Sequence, residues 1–226
     1  TPYRNVSFYP IGSIIHIWDD SDPNLPPGDL SELKGIRVIN PQIAKYITTE
    51  NENSVVLPSS VELIKGFSFC DSNIKSLILN EGLKKIEGGC FRGNHYLCNI
   101  AFPSTLETIQ SQCFNDCNIK SLNITKNIKR FGCRTNCNTT GGYVYHSAFA
   151  RNYRLATITV DSENEHFMSL NNDLYSIDGK VLYLVSSAKS GEYVIPASVE
   201  YISEEAFSNT SQISKIKFAE GSNIKR

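Results

Sequence analysis

The sequence lacks an excess of charge of either sign, since its 226 residues include 22 Lys and Arg against 23 Asp and Glu. Tight binding to nucleic acid or to an anionic membrane depends on concentrated positive charge, so this balance argues against both partners. Long apolar runs are also missing. The longest, Ile11–Trp18, is interrupted by polar residues and is far shorter than the ~20 residues that cross a bilayer. We therefore predict no membrane insertion within this segment.

Motifs of catalysis and metal binding are equally scarce. The spacing of Ser186 and Lys189 occurs in some acyl enzymes, but the companion motifs are missing. The acidic loop at Asp20–Asn24 lacks the Gly and the final carboxylate that a calcium loop requires. The four His residues have no metal-type spacing, and no Gly-rich phosphate loop occurs. The sequence therefore predicts a protein that is not an enzyme and uses no cofactor or metal.

What the sequence does contain is a repeat of 22 to 23 residues, measured between successive Phe residues. Its clearest form is an apolar residue, Pro, two small residues and then apolar residues three apart, as in 55–64, 101–109 and 194–202; a copy at 79–86 lacks the Pro. Five residues after the last Ile of each copy comes a Phe that follows a small residue. These are Phe69, Phe91, Phe114 and Phe207. Such repeats indicate a solenoid, because one unit cannot bury its apolar face alone.

Each repeat also includes one strand, whose side chains alternate between core and solvent. Leu77 and Leu79 exemplify the core-facing pair. We expect these strands to stack in parallel about 4.8 Å apart, with the Phe column filling the opposite wall. The solvent-facing column consists of Ile78, Ala101, Asn123, Thr159 and Lys217. Together with the flanking Lys75 and Lys120, it is the candidate binding face on the concave side of the solenoid.

Two insertions interrupt the repeat. One lies near residues 133–147, and its segment 134–146 is a competing place for recognition. The other spans 161–193 and carries Asp178–Gly179 between alternating apolar runs, which predicts a β-hairpin island. Residues 1–54 form a divergent N-terminal or worn-repeat segment, so the solenoid is expected over 55–226. Because the last copy stops soon after it opens, we expect the stack to be truncated at its C-terminal end.

The repeat resembles the BspA-type leucine-rich repeat over roughly residues 55–226. The clearest copy runs from Val194-Ile195-Pro196 through Ala206-Phe207 to Ile216. The island at 164–179 is similar to the insertions of that family. Departures are Cys90 and Cys113, which stand where Ala is usual. The ladder of Asn residues that ends the strands of more widespread leucine-rich repeats is not evident.

The resemblance implies a β-rich α/β repeat fold, namely a right-handed leucine-rich-repeat solenoid with parallel strands on the concave face and an inserted β-hairpin island. It also implies a surface antigen or adhesin that binds host-matrix or cell-surface proteins outside the cell. This function rests on resemblance, since one fold serves many functions. The alternative is an intracellular leucine-rich-repeat scaffold for protein–protein interaction. A third, weaker alternative is the targeting arm of an enzyme.

The seven Cys residues are an odd number and do not indicate a closed disulfide framework. Those at 90 and 113 occupy the small position before the Phe, which favours a role as packing thiols. Cys133 and Cys137 lie in the first insertion and are the candidate disulfide; a zinc site is the weaker alternative. Asn138 and Asn209 belong to sequons in loops and are the candidate glycosylation sites.

Overall fold

The computed structural model describes residues 37–50, 53–136 and 143–225. They form a β-solenoid of about seven turns with parallel strands, which confirms the predicted leucine-rich-repeat architecture. The elements are β1 (Val38–Ile39), α1 (Pro41–Glu50), β2 (Ser54–Val56), β3 (Leu63–Ile64), β4 (Ser76–Ile78), β5 (Lys85–Ile86), β6 (Thr108–Ile109), β7 (Ser121–Ile124), β8 (Arg130–Phe131), β9 (Cys133–Asn136), β10 (Tyr143–His146), β11 (Thr157–Val160), β12 (Phe167–Leu170), β13 (Asp173–Ser176), β14 (Val181–Leu184), β15 (Ser190–Ile195), β16 (Tyr201–Ile202) and β17 (Gln212–Phe218).

The shortest strands form the first wall of the solenoid. β1, β3, β5, β6 and β8 make one five-stranded parallel sheet. One buried side chain of each strand shares the same register position, and these are Ile39, Ile64, Ile86, Ile109 and Phe131. This column supplies one side of the continuous apolar core that stacked repeats require.

In the first turn of the solenoid, which we call a coil, helix α1 lies where later coils carry the repeat Phe and its flanking residues. We call that segment of a later coil its Phe turn. Asn40 caps the helix, because its Oδ1 accepts the Ile43 backbone N–H at 3.0 Å. Pro41 occupies the first helical position, where its missing N–H is not needed. Ala44 and Ile47 are fully or almost fully buried in the core. Since β1 already belongs to the ladder, the stack starts before residue 55, where the sequence analysis places its beginning.

The longer strands form the second wall in three parallel pairs: β2 with β4, β7 with β11, and β15 with β17. Leu77, Leu122 and Ile158 point into the core and are buried. Their successors, Ile78 and Asn123 among them, are exposed. The alternation along the strand therefore matches the pattern that the sequence predicts.

The Phe turns form the third wall. The backbone N–H groups of Phe69, Phe91 and Phe114 each donate to a carbonyl oxygen of the next coil at 2.8 Å. The rings of these residues and of Phe149 stack face to face, with successive centroids 5.1, 5.0 and 4.9 Å apart. All four rings are fully buried, so the column runs through the core as the repeat predicts.

A buried ladder of Asn residues accompanies the Phe turns, although none is evident from the sequence. Asn94 and Asn152 each follow a repeat Phe by three residues and are fully buried. The Asn94 amide donates to the Phe69 and Phe91 carbonyl oxygens at 2.8 and 2.7 Å, and its Oδ1 accepts the Ile74 N–H at 2.7 Å. This ladder lies behind the Phe turns and not at the strand ends, where more widespread leucine-rich repeats carry theirs.

The first insertion folds as a hairpin. β9 and β10 pair antiparallel, with Cys133 opposite His146. The tip at 137–142 lies outside the described residues, and so do Cys137 and Asn138. The predicted Cys133–Cys137 disulfide and the predicted glycan at Asn138 therefore stay predictions.

The second insertion contains the predicted hairpin island and one strand more. β13 and β14 pair antiparallel around the Asp178–Gly179 turn, and β12 pairs with β13 through a turn at Asn171 and Asn172. Both Asn residues adopt positive φ angles of 52° and 64°, as a two-residue hairpin loop requires. β14 in turn pairs in parallel with β16, so the island and the short strand of the last repeat form one four-stranded sheet.

The Cys residues whose side chains the structure describes are free thiols: Cys70, Cys90, Cys98, Cys113 and Cys117. The two at 90 and 113 are fully buried beside the Phe column, which agrees with a packing role. Burial raises the pKa of Cys117 to about 12, so it stays protonated at neutral pH. Among the described residues, no group of three or more His, Cys, Asp or Glu is placed to hold a metal ion.

Candidate protein-binding surface

The predicted binding face lies on the outward side of the second wall. Ile78, Ala101, Asn123, Thr159 and Lys217 are all exposed there, as are the flanking Lys75 and Lys120. Ile78 has 57% of its surface exposed and pairs with the equally exposed Val56. Asn123 pairs with Thr159, whose Oγ1 donates to Asn123 Oδ1 at 3.0 Å. Each pair joins the outward side chains of neighbouring coils.

Lys217 is separated from the rest of this face. It lies on β17, opposite Val194 of β15, and its Nζ is 2.7 Å from Glu192 Oε2. In the strand pairing of the described residues, β15 and β17 form their own sheet, and β11 pairs only with β7. The island thus divides the outward face, and the structure does not place Lys217 in one ladder with Thr159.

Two exposed aromatic residues border the same face and were missed by the sequence analysis. Tyr96 and Tyr153 are 58% and 62% exposed. The Lys75 Nζ lies 5.9 Å from the centroid of the Tyr96 ring. The sequence offers no clear signal for them, because the segment from the repeat Phe to the next core residue is equally long in the coil of Phe207, which carries no tyrosine there.

Lys75, Tyr96, Lys120, Tyr153 and Arg154 form what we call the edge strip, at the border between the Phe turns and the long strands. Consecutive coils carry it. The Lys120 N–H donates to the Cys98 carbonyl oxygen at 3.0 Å, and the Ala156 N–H donates to the Lys120 carbonyl oxygen at 3.1 Å. All five side chains are exposed. The strip residues therefore lie on consecutive coils and flank the buried core residues Ile74, Leu97, Ile119 and Leu155.

A shallow polar cleft lies on the outer side of the Phe turns. It is lined by Arg92, Gln112, Asn115, Asp116, Arg151 and Glu205. Its two cations, Arg92 and Arg151, are balanced by Asp116 and Glu205, and Arg151 lies 3.6 Å from Glu205. Because the charges balance, the cleft offers little electrostatic attraction to a ligand that carries charge of only one sign.

A buried polar network fixes the island to the repeats. Asp173 accepts the Ser186 N–H at 2.9 Å and the Tyr193 hydroxyl at 2.8 Å, and Lys189 Nζ lies 3.3 Å from the same carboxylate. Tyr193 also bonds to the Tyr175 hydroxyl at 3.1 Å. Burial raises the pKa values of Asp173 and both tyrosines. Because the Asp173 and tyrosine groups find their hydrogen-bond partners within the network, its role is structural: it connects the island to the repeats.

Asn209 is not placed to carry a glycan. It is almost fully buried. Its Nδ2, the atom that a glycan would occupy, donates to the Phe149 carbonyl oxygen at 3.2 Å, while its Oδ1 accepts the Asn152 N–H at 2.7 Å. Glycosylation would displace both bonds and the packing around them. The position lies in a turn, as predicted, but its side chain is buried and extends the Asn ladder.

Within the part of the chain that the structure describes, no helix is long and apolar enough to cross a membrane. No curated protein matches the chain. Solved structures do match. A leucine-rich repeat protein from Eubacterium ventriosum ATCC 27560 aligns with a TM-score of 0.68 at 24% identity, over 83% of this chain and 46% of that one.

Two further solved structures align with the chain. The pneumococcal vaccine antigen PcpA gives a TM-score of 0.57 at 24% identity, over 75% of this chain and 46% of that one. A leucine-rich cell surface protein from Faecalibacterium prausnitzii A2-165 gives 0.53 at 19% identity, over 72% and 52%. The chain thus spans about half the length of these proteins, and at such identities the likeness concerns the fold.

The family model for the BspA-type leucine-rich repeat region matches six copies over residues 42–141 and 176–226. These ranges cover more than half of the sequence and include the turns of Phe69, Phe91, Phe114 and Phe207. The chain therefore belongs to the BspA-type leucine-rich repeat family.

Proposed function

We propose that this chain is a non-enzymatic recognition module of a cell-surface protein, which adheres to a host or neighbouring-cell protein through the outward face of its long strands. The family membership supports a repeat scaffold for protein interaction. Two of the structural relatives are named as a vaccine antigen and as a cell surface protein, which favours display outside the cell. The alternative is an intracellular scaffold that uses the same face.

One observation carries the proposal: exposed apolar and polar side chains project from the outward strands of neighbouring coils, in the pairs β2–β4 and β7–β11. Val56 and Ile78 supply exposed apolar surface on β2 and β4. Asn123 and Thr159 supply hydrogen-bonding groups on β7 and β11. Protein-binding surfaces typically combine an apolar patch with a polar rim.

The rigidity of this face favours binding. Its backbone is held by parallel strand pairing, and the Asn123 side chain is already oriented by Thr159. A surface that is ordered before it meets a partner loses little conformational entropy on association. Affinity then depends on the side chains that project from the strands.

Location is tested with antibodies against the native protein on intact and on permeabilised cells. Labelling of intact cells supports surface display. Labelling that requires permeabilisation contradicts it and favours the intracellular scaffold.

The binding face is tested with beads coated with the chain and with cultured host or neighbouring cells. Ile78→Glu, Asn123→Glu and Thr159→Glu are combined in one variant, because three new charges on the strands should prevent docking. A control variant combines Ser162→Glu, Ala188→Glu and Asn223→Glu, which alter exposed residues away from the predicted face. We expect adhesion to fall at least tenfold in the first variant only. Equal adhesion of both variants contradicts the assigned face.

A further inference from the structure

We infer that the partner is acidic and that it docks as an extended protein segment along the edge strip of Lys75, Tyr96, Lys120, Tyr153 and Arg154. This inference rests on the proposed function and names the chemistry of the partner. The observations that carry it are the distribution of ion pairs, the two exposed tyrosines and the spacing of the coils.

The Lys and Arg side chains of the described residues fall into two groups, those with an ion pair and those without one. Most Lys and Arg side chains lie within 4 Å of a carboxylate, as Lys84 does with Glu62 and Lys129 with Glu107. Five have no ion pair with a described residue, and these are Lys75, Arg92, Lys120, Arg130 and Arg154. Three of the five belong to the edge strip. Within the described residues, cations without a carboxylate partner are thus concentrated in the edge strip.

The neighbouring carboxylates do not cancel this charge. Asp116 is on the Phe-turn side, where it faces His95 at 3.9 Å. Glu192 on the outward face is engaged by Lys215 and Lys217, at 3.9 and 2.7 Å. Among the described carboxylates, none within 4 Å pairs with the Lys and Arg side chains of the strip.

The tyrosines make the row suitable for a protein partner. Tyr96 and Tyr153 expose most of their surface, and tyrosine is enriched among the residues that dominate binding energy at protein interfaces. Lys75 lies over the Tyr96 ring, an arrangement that holds the ammonium group beside an aromatic contact. A partner could thus bury aromatic surface and pair its charges in the same place.

The spacing of the strip fits an extended chain. Lys75 and Lys120 are two coils apart, which is about 10 Å for strands separated by ~4.8 Å. A peptide in an extended or polyproline conformation covers the same distance in three residues. Carboxylates three residues apart in a segment that crosses the coils would therefore meet Lys75 and Lys120, and Arg154 lies one coil further along, at about 5 Å.

The test uses a fluorescein-labelled peptide, (Glu-Ala-Pro)5, and its uncharged counterpart, (Gln-Ala-Pro)5. Binding to the purified chain is measured by fluorescence anisotropy at low and at physiological ionic strength. We expect the Glu peptide to bind at least tenfold more tightly than the Gln peptide, and its affinity to fall as salt screens the charges. Equal binding of the two peptides overturns the inference.

Matched variants locate the site. One combines Lys75→Gln, Lys120→Gln and Arg154→Gln; the control combines Lys65→Gln, Lys126→Gln and Arg130→Gln, which removes the same charge from other surfaces. The strip variant should lose at least tenfold in affinity and the control less than threefold. Equal losses would mean that only net charge matters, and they overturn the assignment. Tyr96→Ala and Tyr153→Ala should each weaken binding further, which a purely electrostatic contact would not show.

A heparin oligosaccharide is the competing probe. Binding of heparin without binding of the Glu peptide overturns the protein partner in favour of a sulfated glycan. The proposed function is separable from this result. If the Glu peptide does not bind while the Ile78, Asn123 and Thr159 variant still abolishes cell adhesion, the acidic segment is wrong and the recognition face stands.

Discussion

The same repeat sequence packs differently in the two parts of the molecule. In the first part, residues 37–160, the rings of Phe69, Phe91, Phe114 and Phe149 stack in one column. In the second part, residues 161–225, the equivalent Phe207 is only half-buried and meets Tyr193 edge-on at 5.3 Å. The position in the repeat is therefore not enough to determine the packing of a residue, because its neighbour in the next coil matters as much.

The island causes the difference. It places Val185 at the position of the repeat Phe, since the Val185 N–H donates to the Ala206 carbonyl oxygen at 2.9 Å. Tyr175 and Tyr193 belong to a second core that includes Leu182 and Val199. The outward strands show a similar contrast. Ile216 and Phe218 align with core-facing positions, yet they are 45% and 55% exposed, since no described coil covers β17.

The largest expected effect distinguishes the two Phe environments. Phe114→Ala should lower the free energy of unfolding by about 4 kcal/mol, because the ring is fully buried between two stacked neighbours. Phe207→Ala should cost roughly half as much, since part of that ring is already in water. Urea unfolding of both variants measures the difference. An equal or larger loss at Phe207 would show that the two parts are packed alike.

The second comparison uses two glycines of similar backbone conformation. Gly132 and Gly221 have φ angles of 74° and 75°, but an added Cβ would lie 2.0 Å from the His146 carbonyl oxygen at the first and meet nothing within 4 Å at the second. We expect Gly132→Ala to destabilise by about 3 kcal/mol and Gly221→Ala by about 1 kcal/mol, the cost of the left-handed conformation alone. Thermal and urea unfolding provide the measurement. Similar losses at both sites would contradict the close approach of Gly132 to the His146 carbonyl oxygen at the base of the β9–β10 hairpin.

The third comparison concerns the Asn ladder. Asn94 makes three hydrogen bonds to the backbone of neighbouring turns, whereas Asn209 makes two. Removal of either side chain leaves buried backbone groups without partners, so Asn94→Ala should cost about 2.5 kcal/mol and Asn209→Ala about 1.5 kcal/mol. An exposed residue, Asn223→Ala, is the control and should change little. No loss at Asn94 would contradict a structural role for the ladder.

The smallest effect is a pH dependence in the second part. Burial raises the folded-state pKa of Asp173, so the folded state binds its proton more tightly than the unfolded chain does. Stability from this residue is therefore greatest at acid pH and is lost as the pH rises from the ordinary Asp pKa through the raised value. Asp173→Asn should flatten this part of the profile, as seen in urea unfolding at a series of pH values. If the wild-type free energy of unfolding instead rises with pH over this range, while that of Asp173→Asn stays flat, the sign of the effect is opposite to the prediction.

Regular features of the fold could be predicted from the sequence because they depend on periodicity. Leu77 and its equivalents reveal the strand alternation, and Asp178–Gly179 reveals the hairpin. Helix α1 was also within reach, since Asn40 and Pro41 are a known helix-start pair. It was missed because the search followed the repeat period, which the helix interrupts.

Other features depend on tertiary neighbours. The turns around each Phe need left-handed residues, and Gly89 and Gly93 fill these positions in one coil, but Gln112 and Asp116 adopt the same conformation in the next, with φ of 58° and 57°. Glycine therefore does not mark the turns consistently. The candidate site followed the same division: strand residues such as Ile78 were predictable, while Tyr96 on the return path was not.

The central claim is that recognition occurs at the outward face of the long strands and the edge strip beside it. Hydroxyl-radical footprinting of the chain with and without the Glu peptide tests this claim most directly. Phe67 is an internal reference, because it is 59% exposed on the Phe-turn wall. The account predicts that the peptide protects Tyr96 and Tyr153 from oxidation and leaves Phe67 unchanged. Protection of Phe67 with unchanged oxidation of both tyrosines would contradict it.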